Sequence, residues 1–422
     1  MSELHPAWRS GAAALENAEW LKRKETRAVF DALSGEAVET RAVGGAVRNT
    51  LLGLPVQEVD LATMALPERV IALAEEAGLK AVPTGIDHGT VTVIANGVPF
   101  EVTTLRRDVE TFGRHAKVAF TRSWEEDARR RDFTLNALYA DRLGTLFDPL
   151  GGFDDLLAGR VRFIGSAEAR IKEDYLRILR FFRFHAHYGG GEMDEDGLKA
   201  SVRLREGLEQ LSAERVSGEL KRILVAPGAV GAVRTLYEYG LLVPVIGGVP
   251  QLLRFEMTSA IESALGRAPD AALRLAALSV FVAEDAARIS QRLRLSNAEQ
   301  ETLALAAGDW PGLPGEPAAK RLLYRLGPDA YRSAVLLAWS SSAPADDRAW
   351  REAFWLSERW QPPVFPLRGS DLAELGFEGP AIGRTLKRLE REWMDRGFEL
   401  GREHLLLQAR AIAEEERAPG RD

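Results

Sequence analysis

The sequence predicts an α/β region over residues 1–150, followed by a remainder built of helices. Three observations carry this. Short apolar or β-branched runs alternate with helical periodicity up to about residue 150. Gly44-Gly45 joins an apolar run to a helical one, and Asn96-Gly97 marks a two-residue hairpin. Asp148-Pro149-Leu150-Gly151-Gly152 then breaks the pattern, and Arg-rich and Ala/Leu/Arg-rich helical sequence follows.

A chain of 422 residues suggests two to four modules. Its 46% hydrophobic and 28% charged content is that of a globular protein. With no run of 18 apolar residues and no charged-then-apolar leader, neither a membrane span nor a secretory signal is expected. The absence of cysteine excludes disulfides, thiol nucleophiles and Cys-ligated zinc, and is compatible with a reducing cytoplasm. A net charge of −7 departs from the overall basic footprint of nucleic-acid binders. A local basic stripe serves an enzyme that must release its product better than overall positive charge does.

Taken in order, residues 1–16 show little periodicity and read as loosely held. Trp20, Leu21, Val29, Phe30 and Leu33 recur at helical intervals and predict a helix over 18–33. Val38 to Val43 reads as a strand. The glycines after it let the backbone approach a ligand and turn N–H groups toward it, and Arg48 lies one helical turn further on. Glu58 and Asp60 stand two apart, which on a strand sends both carboxylates to one face. A phosphate cradle beside a carboxylate pair suits Mg²⁺.

Pro67 opens a helix with Val70, Leu73, Ala74 and Leu79 on one face. In the return strand of the hairpin, Phe100 and Val102 face one way, Glu101 and Thr103 the other. If that strand lies beside the one carrying Asp60, Glu101 adds a third carboxylate. Arg106 to Lys117, with Gly113, predicts a flexible loop.

Trp124 to Ala140 reads as helical, placing Asp132 and Asn136 at i and i+4 on a face with Arg129. Beyond the break, Glu173 to Phe184 is helical. Asp174, Arg177, Arg180 and Arg183 step by three along one face, with Leu176, Leu179 and Phe182 on an adjoining one. His185 and His187 do not share a helix face, so packing or surface placement is expected rather than metal binding. Ser212 to Leu220 has the look of a capped helix, and helices follow from about 225 to 360. Gly379 to Gly383 should open a helix over 381–393 whose N–H groups could hold a phosphate, a plain loop before a helix being the equal alternative, and fraying is expected from Glu414.

The stretch Gly44-Gly45-Ala46-Val47-Arg48 followed by Glu58-Val59-Asp60 resembles the signature of the nucleotidyltransferases of the DNA polymerase β superfamily. Within that group it looks like the class II (bacterial-type) tRNA nucleotidyltransferases and poly(A) polymerases. Arg130-Arg131-Asp132-Phe133-Thr134-Leu135-Asn136-Ala137 resembles the family's second motif, and Glu173-Asp174 with Arg177 its base-reading motif. Residues 366–376 and 379–383 are similar to the tail element of tRNA nucleotidyltransferases.

The resemblance implies a polymerase β-like mixed-sheet head over 1–150, a helical neck over 151–222, a helical body over 223–360 and a tRNA-contacting tail over 361–422. It implies that Glu58 and Asp60 hold Mg²⁺, while Glu101 ligates metal or accepts the hydroxyl proton. Gly44, Gly45 and Arg48 would position the triphosphate, and Arg131, Asp132 and Asn136 the sugar and phosphates. Asp174 and Arg177, with Arg180 beside them, would read the base edge, since a carboxylate accepts from an exocyclic amine and a guanidinium donates to ring nitrogen or carbonyl. Arg106, Arg107, Arg183, Gly379 and Gly383 are assigned to RNA.

The implied reaction is template-independent, Mg²⁺-dependent addition of CCA-end nucleotides from CTP and ATP to tRNA in the cytoplasm, with release of pyrophosphate. The alternatives are addition of the terminal A alone, poly(A) synthesis, and an inactive RNA-binding relative. Thr84 to Thr90 stands where poly(A) polymerases carry a basic run, and the segment 106–117 is one that CC-adding enzymes lack. Two positions depart from the family pattern: Glu58 and Asn49 both stand where Asp is usual.

Overall fold

The hairpin around Asn96-Gly97 forms part of a mixed seven-stranded sheet. In chain order the strands are β1 (Thr40–Val43), β2 (Asp60–Thr63), β3 (Lys80–Gly85), β4 (Thr90–Ala95), β5 (Val98–Thr104), β6 (Arg106–Phe112), β7 (His115–Phe120), β8 (Tyr139–Ala140) and β9 (Leu146–Phe147). The sheet order is β3-β4-β5-β2-β1-β8-β9, and β6 and β7 pair separately. The computed structural model describes residues 6–35, 38–112, 115–308 and 315–417. The chain divides into two compact units, Met1–Val245 and Ile246–Asp422.

In the first unit, β1 and β2 run antiparallel with Val43 opposite Asp60, while β2 and β5 run parallel with Leu61 beside Val102. That one parallel pairing sets Asp60 and Glu101, each a residue earlier, at the same end of neighbouring strands. Asn96 and Gly97 both take positive φ in the tight turn. Phe100 and Val102 are buried while Glu101 is exposed, as the alternation predicts. The underside of the sheet rests on Val43, Ala62, Leu105, Trp124, Ala137 and Tyr139.

Several expectations are corrected. Residues 6–16 form a helix, Pro6–Glu16, with Leu15 fully buried. It packs through Gly11, where a Cβ would come within 2.9 Å of Phe153, a close approach that periodicity does not reveal. The expected helix over 18–33 is two, Glu19–Lys22 and Lys24–Leu33, because Arg23 adopts an extended conformation between them. Strand β2 begins only at Asp60, so Glu58 lies ahead of the strand. The expected loop 106–117 is the β6–β7 ribbon, with Gly113 outside the described residues.

The helix expected over 124–140 ends at Arg129; a 3₁₀ turn, Thr134–Asn136, and β8 follow. Asp127 ties the segments on either side of the stop together. Its buried carboxylate accepts from Arg130 at 2.8 Å, Arg131 at 3.1 Å and Tyr139 at 2.9 Å, and the chain wraps around it. Asp174 is not on a helix with the arginines that follow it. It ends the helix Ala167–Glu173, and a second helix runs Leu176–Tyr188. That second helix buries Phe181 and Phe184 against Phe133 and Phe163, with ring centroids 5.0 to 6.3 Å apart. Each such ring contributes about 2–3 kcal/mol of burial.

The second unit is helical among its described residues. Leu252–Ala264, Ala271–Ser279, Ala283–Leu293 and Asn297–Ala306 precede Glu316–Trp339, which is kinked at Gly327-Pro328. Glu262 and Arg274 form a buried ion pair at 2.6 Å. Arg254 donates to the carbonyls of Val280 at 3.0 Å, Ala306 at 3.3 Å and Leu337 at 3.5 Å, which lie at the C-terminal ends of three helices. Those ends carry unsatisfied carbonyls and partial negative charge, so one guanidinium caps all three. Arg254→Met is expected to destabilise this unit by about 1–2 kcal/mol in denaturant unfolding, mainly through the Ala306 carbonyl, because Gln251 still donates to Val280 O at 2.9 Å and Ser340 to Leu337 O at 2.8 Å.

Gly379, at positive φ, precedes the helix Pro380–Asp395, as its glycines predict. The last helix, Arg402–Arg417, runs past Glu414, where fraying was expected. Trp393, Leu389, Leu372 and Leu405 close a local core. Among the described residues no helix is long and apolar enough to cross a membrane.

Candidate active site

A cavity of about 590 Å³ opens at the end of β2 and β5 in the first unit. It gathers Gly44, Gly45, Arg48, Asp60, Glu101, Arg106, Arg131, Asp132, Asn136, Asp174, Arg177 and Arg180. Glu58, Arg107 and Arg183 do not line it, and Gly379 and Gly383 belong to the second unit.

Gly44 turns the chain out of β1 at φ +70°, a conformation that L side chains rarely adopt. Its N–H donates to Leu138 O at 3.1 Å, which ties the turn to the strand end beside it. The turn delivers Arg48 into the cavity wall. There the guanidinium donates to Asn136 Oδ1 at 2.5 Å, to Asn49 Oδ1 at 3.0 and 3.2 Å, and to the Tyr188 hydroxyl at 2.8 Å. Burial lowers the Arg48 pKa from its ordinary value, and Tyr188 opposes this. Asn49 Nδ2 donates to Pro55 O at 3.0 Å, tethering the segment that leads to Glu58 and Asp60.

Asp60 retains solvent access, yet its carboxyl is pushed up from the ordinary range. Loss of solvation in the cleft is the main cause, followed by repulsion from Glu101 and Glu58, with Arg131 pulling the other way. Like charges crowded in this way accommodate a divalent cation. Among the described residues no three His, Asp or Glu side chains converge as a self-contained metal cage. Two carboxylates with open positions left for phosphate and water are the donor set that Mg²⁺ takes at phosphoryl-transfer sites. The residues present therefore fit such an ion.

Asp132 lies beneath the cavity. Its Oδ1 accepts from Asn136 Nδ2 and from the Phe133 N–H, both at 2.9 Å, and its Oδ2 accepts from Arg180 at 2.5 and 2.9 Å. Burial pushes this carboxyl up, but Arg180 and the Asn136 hydrogen bond outweigh it and hold it at about 2. Asp132 and Asn136 thus meet as expected, through a 3₁₀ turn rather than an α-helix. Arg129 instead pairs with Glu125 at 2.6 Å on the exposed side.

On the facing wall, Asp174 is gripped by Arg215 at 2.6 and 3.2 Å, and Arg177 is held by Glu173 and by Arg170 O at 2.8 Å. Arg183 turns away to Glu219 at 2.6 Å. His187 Nδ1 lies 2.9 Å from Arg183 O, and burial lowers the pKa of both His185 and His187.

Sequence reasoning missed Asp127, Tyr139, Tyr188, Arg215 and Glu219. Arg215 and Glu219 fall within the stretch 212–220 noted for its capping pattern, so their charge spacing was the available signal.

Comparison with known proteins bears on the whole arrangement. The Poly A polymerase head domain family matches residues 40–162, and the family described as probable RNA and SrmB-binding site of polymerase A matches 192–254. The chain is 35% identical over 412 residues to CCA tRNA nucleotidyltransferase 1, mitochondrial, of Danio rerio, an alignment covering 92% of either protein. It is 41% identical over 211 residues to the CCA-adding enzyme of Geobacillus thermodenitrificans, covering 50% of this chain and 51% of that one. The crystal structure of the Bacillus stearothermophilus CCA-adding enzyme in complex with CTP has the same fold, with a TM-score of 0.71 at 27% identity, covering 98% of this chain and 100% of that one. The chain therefore belongs to the tRNA nucleotidyltransferase and poly(A) polymerase family of polymerase β-like nucleotidyltransferases, whose enzymes are generally dependent on a divalent metal.

Proposed function

We propose that this protein adds the CCA end to tRNA, taking CTP and ATP as substrates and releasing pyrophosphate. The observation that carries the reading is the convergence, in one cavity, of a carboxylate pair with Arg48, Asp174 and Arg177. The likeness along nearly the whole chain to a CCA tRNA nucleotidyltransferase supports a tRNA substrate over a small one.

In this reading Asp60 and Glu101 hold Mg²⁺, with Glu58 adding charge from just outside the cavity. Bound there, Mg²⁺ would make the RNA 3′-hydroxyl more acidic and offset charge on the triphosphate and leaving pyrophosphate. Arg48 and the Gly44-Gly45 backbone hold the phosphates. Asp132 and Asn136 orient Arg48 and Arg180, and Arg131 flanks the sugar and phosphates. Asp174 accepts from the exocyclic amine of cytosine or adenine, while Arg177 donates to the ring nitrogen or carbonyl. Arg106, Arg107, Arg183 and the helix opened by Gly379 and Gly383 serve the RNA. We assign the head to 1–150, the neck to 151–222, the body to 223–360 and the tail to 361–422, and infer a cytoplasmic location in keeping with a chain free of cysteine.

The test is incorporation of CTP and ATP, with Mg²⁺, into tRNA transcripts ending before CCA, after C and after CC. Extension of all three to CCA is expected. Extension of only the CC-ending transcript, with ATP alone, would replace the reading with A-addition, and no incorporation would point to an inactive relative.

A further inference from the structure

Arg48 poses an unusual charge problem. Its residue exposure is only 7%, yet each of its hydrogen-bond partners among the described residues, Asn49, Asn136 and Tyr188, is neutral. A buried cation without a carboxylate partner is costly unless another charge answers it, and Arg48 lines the cavity proposed for the triphosphate. Asp132 favours the charge only through space, with Asn136 standing between the two, so the neutral cradle orients the guanidinium without pairing it.

Tyr188 gives that cradle both a ring face and a hydroxyl. The Arg48 guanidinium carbon lies 4.2 Å from the centre of its ring, and the hydroxyl accepts from Arg48 at 2.8 Å. Tyr188 itself does not line the cavity. It is the last residue of the helix Leu176–Tyr188, whose first turn carries Arg177. The same helix therefore presents a base-facing arginine at one end and steadies the phosphate-facing arginine at the other. We propose that Tyr188 is a positioning residue for the incoming nucleotide, fixing Arg48 through its ring face and hydroxyl so that base reading and triphosphate holding share one rigid element. This rests on the nucleotidyltransferase reading of the cavity.

The experiment compares the full-length protein with Tyr188→Phe and Tyr188→Leu. Steady-state incorporation into tRNA is measured along with inhibition by inorganic tripolyphosphate, which has no base to read. Tyr188→Phe is expected to raise the KM for ATP and CTP and the tripolyphosphate Ki together by about five- to tenfold, the loss of one hydrogen bond to a charged group. Tyr188→Leu should raise both by a further factor of about ten, since the ring face is also lost. Both variants should keep kcat within about threefold and leave the KM for tRNA unchanged, as orientation of a ground-state contact requires. A tripolyphosphate Ki that stays within twofold in a folded Tyr188→Phe protein overturns the proposal, and so does an equal rise in the KM for tRNA. Failure of the underlying reading is separate: the unaltered protein would then incorporate no nucleotide.

Discussion

Asp60→Asn is expected to abolish nucleotide incorporation, with kcat falling about 10³-fold or more. Asparagine keeps the shape and removes the charge that a divalent cation needs, and loss of several kcal/mol of charge stabilisation has that effect on rate. The fold should be indifferent or slightly favoured, because Asp60 sits among like charges that raise its pKa. Circular dichroism and the unfolding midpoint should therefore match the unaltered protein while activity is lost. Full activity in Asp60→Asn would remove the carboxylate pair from the mechanism. The same crowding sets a pH dependence. With the Asp60 pKa above its ordinary value, the acid limb of the activity profile should lie above the usual aspartate range. More divalent cation should move that limb to lower pH, because metal and proton compete for one carboxylate.

Asp132→Ala is expected to cost about 3 kcal/mol of stability, since breaking a buried pair strands the remaining charge. Arg180 loses its closest carboxylate and keeps only Glu219 at 4.0 Å, Asn136 loses an acceptor, and the hold on Arg48 loosens with it. A double-mutant cycle with Arg180→Met should show that most of the cost is shared between the two. Additive costs would mean that the pair does not act as a unit. Acid should act on the same contact. Asp132 and Asp127 are both held at about 2 in the folded chain, against an ordinary 3.8. Their contribution is complete above about pH 4 and disappears as pH falls toward 2, because the unfolded chain takes up the protons first; each contributes about 2 kcal/mol. Asp132→Asn should flatten this part of the stability profile, read as the urea midpoint between pH 2 and pH 5.

What the sequence disclosed was chiefly local. Asn96-Gly97 and the alternation of Phe100, Glu101 and Val102 are written in adjacent residues, and the structure shows both. The juxtaposition of Asp60 and Glu101 needed one further fact, the parallel pairing of β2 with β5, which no local pattern contains. The contact between Asp132 and Asn136 was found by a helical rule although the backbone there is not α-helical; an offset of four also closes across the 3₁₀ turn. The residues that were missed act at a distance or through an unforeseen bend. Arg215 reaches Asp174 across 41 positions and Tyr188 reaches Arg48 across 140, while Asp127 works through a chain reversal that helical periodicity concealed. Strands β8 and β9 have two residues each, too few to show any alternation.

The three helix ends gathered by Arg254 bear on how the chain is made. The farthest carbonyl belongs to Leu337, 83 positions downstream, so the hub cannot be completed until that helix has left the ribosome. At about 5–20 residues per second, several seconds separate the emergence of Arg254 from that of its last partner. During that interval the guanidinium has only the Val280 and Ala306 carbonyls to meet, so two helix ends can be joined while the third is still missing. Completion should come in one cooperative step late in synthesis, and a ribosome stalled before Leu337 should present this region in a protease-sensitive state.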